Sequence, residues 1–305
     1  MTAASREACR WDLPEPLATA DVCTADGARI VLRRHGNPDG SRLVVSHGNG
    51  LAADVYYPFW SLLAGRFDLV LYDFRNHGWS GRSDVRSHTI ATFVEDNQLV
   101  FRGIDRHFGA KSKVGVFHSL SATTAILQDP PGEGFAALVL FDPAIHLPGG
   151  DLLQADKQWR QLAGATRSRR ERFETREQLA ERIARAPAYA RLLPGVPDLI
   201  ARATLRPTTD ETGYELRCPA EYEAQVLEYA FAYNQEPEPA AFRCPVKVIG
   251  CDPTMPFSFL PRLDLAGLTG LNYDFVPDTT HFLQLENPGE CAALMLAFLE
   301  QHGLA

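Results

Sequence analysis

A serine stands at the junction of a strand-like segment and a helix-like segment. Residues 113–122 read KVGVFHSLSA, and helix-compatible residues continue to position 128. A serine at the tip of such a strand-to-helix turn is held in a sharp bend with its hydroxyl exposed. Ser119 is therefore a candidate nucleophile for acyl transfer, a chemistry that needs a histidine base, a carboxylate and N–H donors for the developing oxyanion.

His281 is the candidate base, because it follows the last strand-like segment in the sequence PDTTHFLQLE. Asp252 is the candidate acid, since it comes just after another strand-like segment, and ligand-facing chemistry in open α/β sheets gathers at the carboxyl ends of strands. The rival acid is Asp142, at the end of the preceding strand-like segment. A strand-terminating turn at Asp142-Pro143 would explain that residue equally well, so position favours Asp252.

The segment SHGNG at residues 46–50 follows a buried-strand pattern and is the candidate oxyanion loop. Its glycines, Gly48 and Gly50, allow the backbone to come close to a substrate. We expect the donors to be the backbone N–H groups of Asn49 and of Leu120, the residue after the serine.

Short apolar runs alternate with amphipathic segments over much of the chain, which predicts a mostly parallel sheet flanked by helices. The predicted strands are residues 28–33, 42–46, 67–72, 114–117, 137–141, 245–250 and 271–276, and the predicted helices include 57–63, 90–108 and 288–300. Residues 146–242 show no strand pattern and are helical in character. We therefore predict an α/β core formed by residues 1–145 and 243–305, with a helical cap inserted at 146–242.

The chain order Ser119, Asp252, His281 resembles that of the α/β-hydrolase superfamily, in its lidded branch of serine esterases, lipases and meta-cleavage hydrolases. The segment YDFRNHGWS at residues 72–80 resembles the family's D-x-R-G-H-G-x-S loop, and HFLQLE at 281–286 resembles its terminal histidine motif. The resemblance implies the α/β-hydrolase fold and a serine hydrolase that works through an acyl-enzyme, with no metal or organic cofactor.

Two positions favour cleavage of a small or medium carboxylic ester. Meta-cleavage members of the family usually carry asparagine before the serine and tryptophan after the histidine, where this chain has His118 and Phe282. C–C bond hydrolysis of the meta-cleavage type and non-catalytic ligand binding are the alternatives.

The bend itself departs from the family pattern, in which small residues lie two positions before and after the nucleophile. Phe117 and Ser121 take these places here, and Phe117 is bulky. The same pattern is also satisfied with Ser121 as the nucleophile, so this second register stays open. The agreement of His118-Ser119-Leu120 with the family's H-S-x favours Ser119.

The cap is expected to roof the substrate site. Tyr222 and Tyr229 are candidate substrate contacts together with Phe282, although packing of the cap against the core would also account for the tyrosines. Arginines and glutamates interleave between residues 160 and 185, which is typical of a solvated helix with i,i+4 pairs. The alternative is that one arginine faces the site and binds a substrate carboxylate.

Composition excludes several other classes of protein. The 305 residues carry a formal net charge of −8, without the clustered lysine and arginine that nucleic-acid binding needs.

The start of the chain has no secretory pattern, and the most apolar run is too short to span a bilayer. The 6 cysteines form no C-x-x-C pair, which indicates reduced thiols in a cytoplasmic protein. We expect a small-molecule ester as the partner, with homodimer formation left open.

Overall fold

The structure, a computed structural model, describes residues 10–145, 151–233, 237–255 and 271–305. Its strands are β1 (Ala18–Cys23), β2 (Arg29–Gly36), β3 (Arg42–Ser46), β4 (Asp68–Tyr72), β5 (Lys113–His118), β6 (Ala137–Phe141), β7 (Arg172–Phe173), β8 (Leu205–Pro207), β9 (Tyr214–Leu216), β10 (Val246–Cys251) and β11 (Asn272–Val276). Its helices are α1 (Tyr57–Trp60), α2 (Ile90–Phe108), α3 (Leu120–Ile126), α4 (Leu152–Arg167), α5 (Arg176–Arg185), α6 (Val196–Thr204), α7 (Ala220–Tyr233), α8 (Leu283–Glu286) and α9 (Pro288–Gln301). None of these helices is both long and apolar enough to cross a membrane.

An 8-stranded sheet in the order β1-β2-β4-β3-β5-β6-β10-β11 forms the centre of the molecule. The two pairings that involve β2 are antiparallel, and the pairings from β4 through β11 are parallel. Strands β3, β4, β5 and β6 are buried along their whole length. The parallel pairings confirm the prediction of a mostly parallel sheet. The strands are continuously apolar because a sheet covered on both faces buries every residue of its central strands.

Successive residues of the central strands β3, β4 and β6 pack into different apolar clusters, one on each face of the sheet. Leu43 and Val45 of β3 join the cluster that includes α1 and α9, whereas Val44 joins the one that includes α2. This alternation follows from the two-residue period of a strand. Helices thus pack on both faces of the sheet, and the loops that follow its parallel strands lie at its carboxyl edge.

The segment between β6 and β10 contains α4 to α7 and also a small antiparallel sheet in the order β7-β9-β8. The expectation that this segment has no strand was therefore wrong. Its strands span only two or three residues each, too few to show the period of two in the sequence. The predicted starts of the core at residue 1 and of the cap at residue 146 lie outside the described residues.

Phe117 is accommodated inside the sheet packing. Its side chain is fully buried in the cluster beneath α2, with ring centroids 5.9 Å from Phe135 and 6.2 Å from Phe101. Gly115 lies two residues earlier on the same face of β5, and a methyl group there would collide with the Phe117 ring and lie 2.7 Å from Leu138 Cδ2. Because Gly115 has no side chain, the Phe117 ring occupies the space that a side chain at position 115 would fill.

We expect Gly115→Ala to lower the free energy of unfolding by about 1–3 kcal/mol, because the added methyl overpacks a filled site. Urea unfolding measures the change, and Gly65→Ala is the control, since a Cβ at Gly65 meets nothing within 4 Å. Adding Phe117→Leu to Gly115→Ala should recover part of the loss. Equal stability of Gly115→Ala and Gly65→Ala would contradict this packing account.

Candidate active site

Ser119 occupies the bend between β5 and α3 with φ 51° and ψ −114°. A positive φ is uncommon for a residue with a Cβ and persists only where the surroundings enforce it. Here the backbone N–H of Ser119 donates to the carbonyl of Phe141 on β6 at 2.9 Å, and its carbonyl accepts from Thr123 N–H at 2.8 Å. The bend therefore has the geometry of a nucleophile elbow, with its hydroxyl outside the helix.

Ser121 has a different role in the same turn. It is fully buried, and its Oγ accepts from His118 N–H and donates to the His118 carbonyl, both at 2.9 Å. Its hydroxyl is thus engaged by the backbone that forms the bend. The geometry favours Ser119 as the nucleophile in the register chosen from the sequence.

His281 lies in the loop between β11 and α8, above the end of β5. Its Nε2 is 2.9 Å from Ser119 Oγ, and its Nδ1 is 2.5 Å from Oδ2 of Asp142. An imidazole that donates from Nδ1 to a carboxylate presents the lone pair of Nε2 to the serine hydroxyl. Ser119 and His281, both named from the sequence, are therefore in hydrogen-bond contact, and the carboxylate on the other side of the imidazole belongs to Asp142.

The structure places Asp142, and not the predicted acid Asp252, at Nδ1 of His281. The Asp252 carboxylate accepts from the backbone N–H of Thr254 and of Asp278, both at 2.9 Å, and lies in a partly exposed turn. Asp142 follows β6, which pairs directly with β5, whereas Asp252 follows β10, one strand further from the serine. Both aspartates end a strand, so position along the chain alone does not choose between them.

Asp142 is held for this contact by its backbone and by β10. It has φ 42°, its N–H donates to the Ile249 carbonyl at 2.9 Å, and its Oδ1 accepts from Cys251 N–H at 3.2 Å. Burial by itself would raise the pKa of Asp142, but the hydrogen bond and charge of His281 hold the pKa of this carboxyl below its usual value. Asp142 is therefore a charged, fully buried partner for an imidazolium.

The oxyanion loop packs directly against the elbow. A Cβ on Gly48 would lie 3.0 Å from His118 Nδ1 and 3.2 Å from Ser119 Cβ, so a side chain there would force these neighbours to shift. Leu120 is the first residue of α3, where the backbone N–H has no intrahelical acceptor. Within the described residues the N–H of Asn49 also has no acceptor, while its side-chain Nδ2 donates to the Glu223 carbonyl at 2.9 Å. Neither N–H group thus has an acceptor among the described residues; one directly follows Ser119 in the chain, and the other belongs to a residue that lines the same cavity as Ser119.

A cavity of about 270 Å³ opens above Ser119 and His281. The predicted residues Gly48, Asn49, Gly50 and Phe282 line it. Further lining comes from apolar side chains of the segment between β6 and β10, which sequence reasoning did not single out: Trp159, Leu162, Phe173, Leu179, Ile183, Tyr189, Ile200, Leu216 and Leu227. The volume of this cavity is near the lower end of small-molecule sites.

Tyr222 and Tyr229 do not line this cavity. The Tyr222 hydroxyl donates to the Ser83 carbonyl and its ring packs on His88, while Tyr229 is 56% exposed. Helix α7 instead presents Glu223 and Leu227 to the cavity. Residues four apart share a helix face, and the two tyrosines, seven apart, lie together on a different face, which the segment's weak amphipathic pattern did not reveal.

Three arginines of the same segment reach the cavity wall, and they differ in their partners. Arg169 forms an ion pair with Glu223, with Nη1 to Oε1 at 2.9 Å. Arg170 donates to the Arg172 carbonyl at 2.6 Å and stacks over the Phe173 ring. Arg182 has no hydrogen bond or ion pair to another residue in the described part of the chain.

A group of possible metal ligands, His77, His88 and Cys218, is buried beside the oxyanion loop, with ligand atoms within 4.8 Å of one another. His77 Nε2 accepts from Gly50 N–H at 3.2 Å, and His88 Nδ1 accepts from the Asn76 amide at 2.9 Å, which makes His88 Nε2 the protonated nitrogen. A metal there would have to break both hydrogen bonds. The group fits a packed polar cluster better than a metal centre.

The parallel sheet, the elbow and the histidine loop together define an α/β-hydrolase architecture. Residues 43–294 match the model of the family described as "Alpha/beta hydrolase family", and the chain belongs to that family.

Similar solved structures include E-2-(acetamidomethylene)succinate hydrolase (TM-score 0.72, 18% identity, covering 93% of this chain and 99% of that one). A thioesterase domain from the curacin biosynthetic pathway has a TM-score of 0.68 and 17% identity, covering 92% and 99%. An alpha/beta hydrolase from Novosphingobium aromaticivorans has a TM-score of 0.69 and 15% identity, covering 94% and 99%. At these identities the likeness is one of fold.

Among curated proteins, the chain is 36% identical over 80 residues to "Probable oxidoreductase EphD" from Mycobacterium tuberculosis and from Mycobacterium bovis. The matched part is 26% of this chain and 14% of those relatives. The relatives are thus much longer than the stretch they share with it.

We expect Asp142→Asn to slow fluorophosphonate labelling of Ser119 by about 10³- to 10⁴-fold, because the amide no longer fixes the reactive tautomer of His281. Asp252→Asn is the matched control and should keep the wild-type labelling rate within about threefold. The rate is measured by mass spectrometry of the labelled peptide. Slower labelling of Asp252→Asn than of Asp142→Asn would instead identify Asp252 as the acid.

Proposed function

We propose that this protein is a serine hydrolase that cleaves a small or medium carboxylic ester. The observation that carries the proposal is the position of His281, within hydrogen-bond distance of both Ser119 Oγ and the Asp142 carboxylate. Ser119 and His281 line a partly open cavity, next to two backbone N–H groups that have no acceptor among the described residues. A nucleophile, a base with its orienting acid and oxyanion donors in one place are the requirements of acyl transfer.

In the proposed reaction, Ser119 Oγ attacks the ester carbonyl while its proton passes to His281 Nε2. The imidazolium is stabilised by Asp142, and the carbonyl electron pair moves to an oxyanion held by the N–H groups of Asn49 and Leu120. Collapse of the tetrahedral intermediate breaks the C–O bond, and His281 returns the proton to the leaving alcohol. Water then attacks the acyl-enzyme with the same histidine as base, which releases the acid and free Ser119.

The size and lining of the cavity support an acyl or alcohol group of modest length. The wall contributed by α4 to α7 is mostly apolar, and the volume is about 270 Å³. We take the segment between β6 and β10 as the cap that closes this site. Apolar side chains exclude water from the oxyanion, which strengthens the hydrogen bonds that stabilise it.

We expect hydrolysis of a p-nitrophenyl ester series from acetate to laurate, with the rate falling for the longest chains because the cavity is small. Ser119→Ala should abolish turnover. Ser121→Ala should keep measurable turnover, since Ser121 bonds only to the backbone of the bend among the described groups.

Loss of activity in Ser121→Ala alone, with Ser119→Ala active, would overturn the register. A folded wild-type protein that cleaves no ester but cleaves a vinylogous diketone acid would establish C–C hydrolysis. Tight binding of apolar ligands without any turnover would establish a binding protein.

The arginines in the cavity wall favour a substrate that also bears a carboxylate. Arg169 is neutralised by Glu223 and Arg170 is engaged by backbone and ring contacts, so Arg182 is the guanidinium best placed to accept an anion. A guanidinium binds a carboxylate through two parallel N–H bonds. Such a substrate would be a hemi-ester, or the acid of a C–C hydrolase reaction.

We expect a dicarboxylic hemi-ester to be turned over with kcat/KM about tenfold or more above that of its neutral diester. Arg182→Gln should remove this preference, mainly through KM. Arg185→Gln is the control, because Arg185 lies on the same helix, pairs with Glu181 and does not line the cavity. Equal turnover of hemi-ester and diester by the wild type would dismiss carboxylate recognition.

A further inference from the structure

A line of buried hydrogen bonds runs beneath the candidate site and includes none of its reacting groups. Gly48 N–H donates to Tyr56 Oη at 3.0 Å, and Tyr56 Oη lies 2.6 Å from His118 Nδ1. His118 Nε2 lies 2.8 Å from the backbone carbonyl of His281. Tyr56 and His118 are each only 1% exposed, so water does not compete for these contacts.

The contacts permit a single arrangement of protons. The His281 carbonyl can only accept, so His118 Nε2 carries the hydrogen and donates. His118 Nδ1 is then the acceptor of the Tyr56 hydroxyl, whose oxygen is free to accept from Gly48 N–H. Burial, followed by the nearby His281, lowers the pKa of His118 to about 3, and burial raises the pKa of Tyr56 above its usual value. Both groups therefore stay neutral throughout the ordinary pH range.

This line connects three separate loops at the carboxyl edge of the sheet. Gly48 precedes Asn49 in the oxyanion loop, His118 precedes Ser119 in the elbow, and the carbonyl belongs to His281 itself. The rings of His118 and His281 also pack with centroids 4.7 Å apart. Tyr56 and His118 are 62 residues apart, and His118 and His281 are 163 apart, so no local turn fixes these loops against one another.

We propose that Tyr56 and His118 are positioning residues for the reaction, which set the Asn49 oxyanion donor and His281 in register with Ser119. The inference rests on the proposed function. A donor works only when it is aimed at the place where charge develops, and a shift of about 1 Å costs roughly a hundredfold in rate. Because Tyr56 holds the N–H of Gly48, it fixes the peptide that leads into the N–H of Asn49.

A neutral His118 also suits the chemistry of its neighbour. When His281 takes the serine proton it becomes a cation, and a second cation stacked on it would oppose that step. Donation from His118 Nε2–H to the His281 carbonyl keeps the backbone of the base in place while its ring changes charge. His118 thus supports the base without exchanging protons with it.

Tyr56→Phe tests the proposal, because it removes the hydroxyl that joins Gly48 to His118 and keeps the ring. We expect kcat for the best p-nitrophenyl ester to fall about tenfold to a hundredfold, with KM unchanged within about twofold. A trifluoromethyl ketone, which forms a tetrahedral adduct on the serine, should bind weaker by the same factor. The alcohol product, which has no carbonyl oxygen for the oxyanion donors to bind, should bind as it does to the wild type.

Tyr57→Phe is the matched control. Tyr57 is the next residue and packs on Trp60 and Trp11, but its hydroxyl makes no hydrogen bond to a described residue. It should keep wild-type kcat. Equal kinetics of the two variants, or a Tyr56→Phe protein that loses ketone and product affinity alike, would overturn the inference.

His118 provides a second test, which also serves if Tyr56→Phe does not fold. In His118→Asn the side-chain oxygen can replace Nδ1 as acceptor of the Tyr56 hydroxyl, whereas His118→Ala cannot replace it. We expect His118→Asn to exceed His118→Ala in kcat by about tenfold, and equal values would count against the proposal. A wild-type protein without any hydrolase activity would instead overturn the proposed function itself.

Discussion

A buried carboxylate dictates much of the arrangement at the carboxyl edge of the sheet. Asp142 has no exposed side-chain surface, and an ionised carboxylate removed from water is costly unless hydrogen bonds replace its hydration. The N–H of Cys251 and the ring of His281 provide that replacement. The histidine loop must therefore close over the end of β6, and this closure brings the other ring nitrogen, Nε2, to Ser119 Oγ.

The oxyanion loop depends on a second buried polar network, built on the motif at residues 72–80. Asp73 accepts from the N–H groups of Ala53 and Trp79 and pairs with Arg33. His47 accepts from Phe74 N–H at 3.1 Å and donates to the Gly48 carbonyl at 2.8 Å. Asp73 of this motif thus has a structural role. Together with His47 it fixes the loop at residues 46–50 and the turn that follows it.

The segment between β6 and β10 is joined to this edge by both packing and charge. Glu223 lies so close to Gly50 that any side chain there would collide with its carboxylate, and Gly50 also needs φ 72°. Arg169 holds that carboxylate from the other side. Burial, partly offset by Arg169, raises the pKa of Glu223 above its usual value. Glu223 and Arg169 of this segment therefore pack as one unit with the loop at residues 46–50, so a substitution in one part should disturb the other.

The sequence by itself was enough for the sheet, the elbow and the histidine loop. Each depends on local signals: continuous apolar strands, a serine between strand and helix, and a histidine after the last strand. Even the space for the unusual Phe117 comes from a nearby residue, because Gly115, two positions earlier, has no side chain to collide with its ring.

Only the tertiary structure chose Asp142 over Asp252 as the partner of His281, because both aspartates follow a parallel strand and the local sequence does not show which carboxylate the folded histidine loop contacts. It also decided which face of α7 meets the cavity, and it joined Tyr56 to His118 across 62 residues. Such contacts arise from the packing of distant segments, and no periodicity in a single segment encodes them.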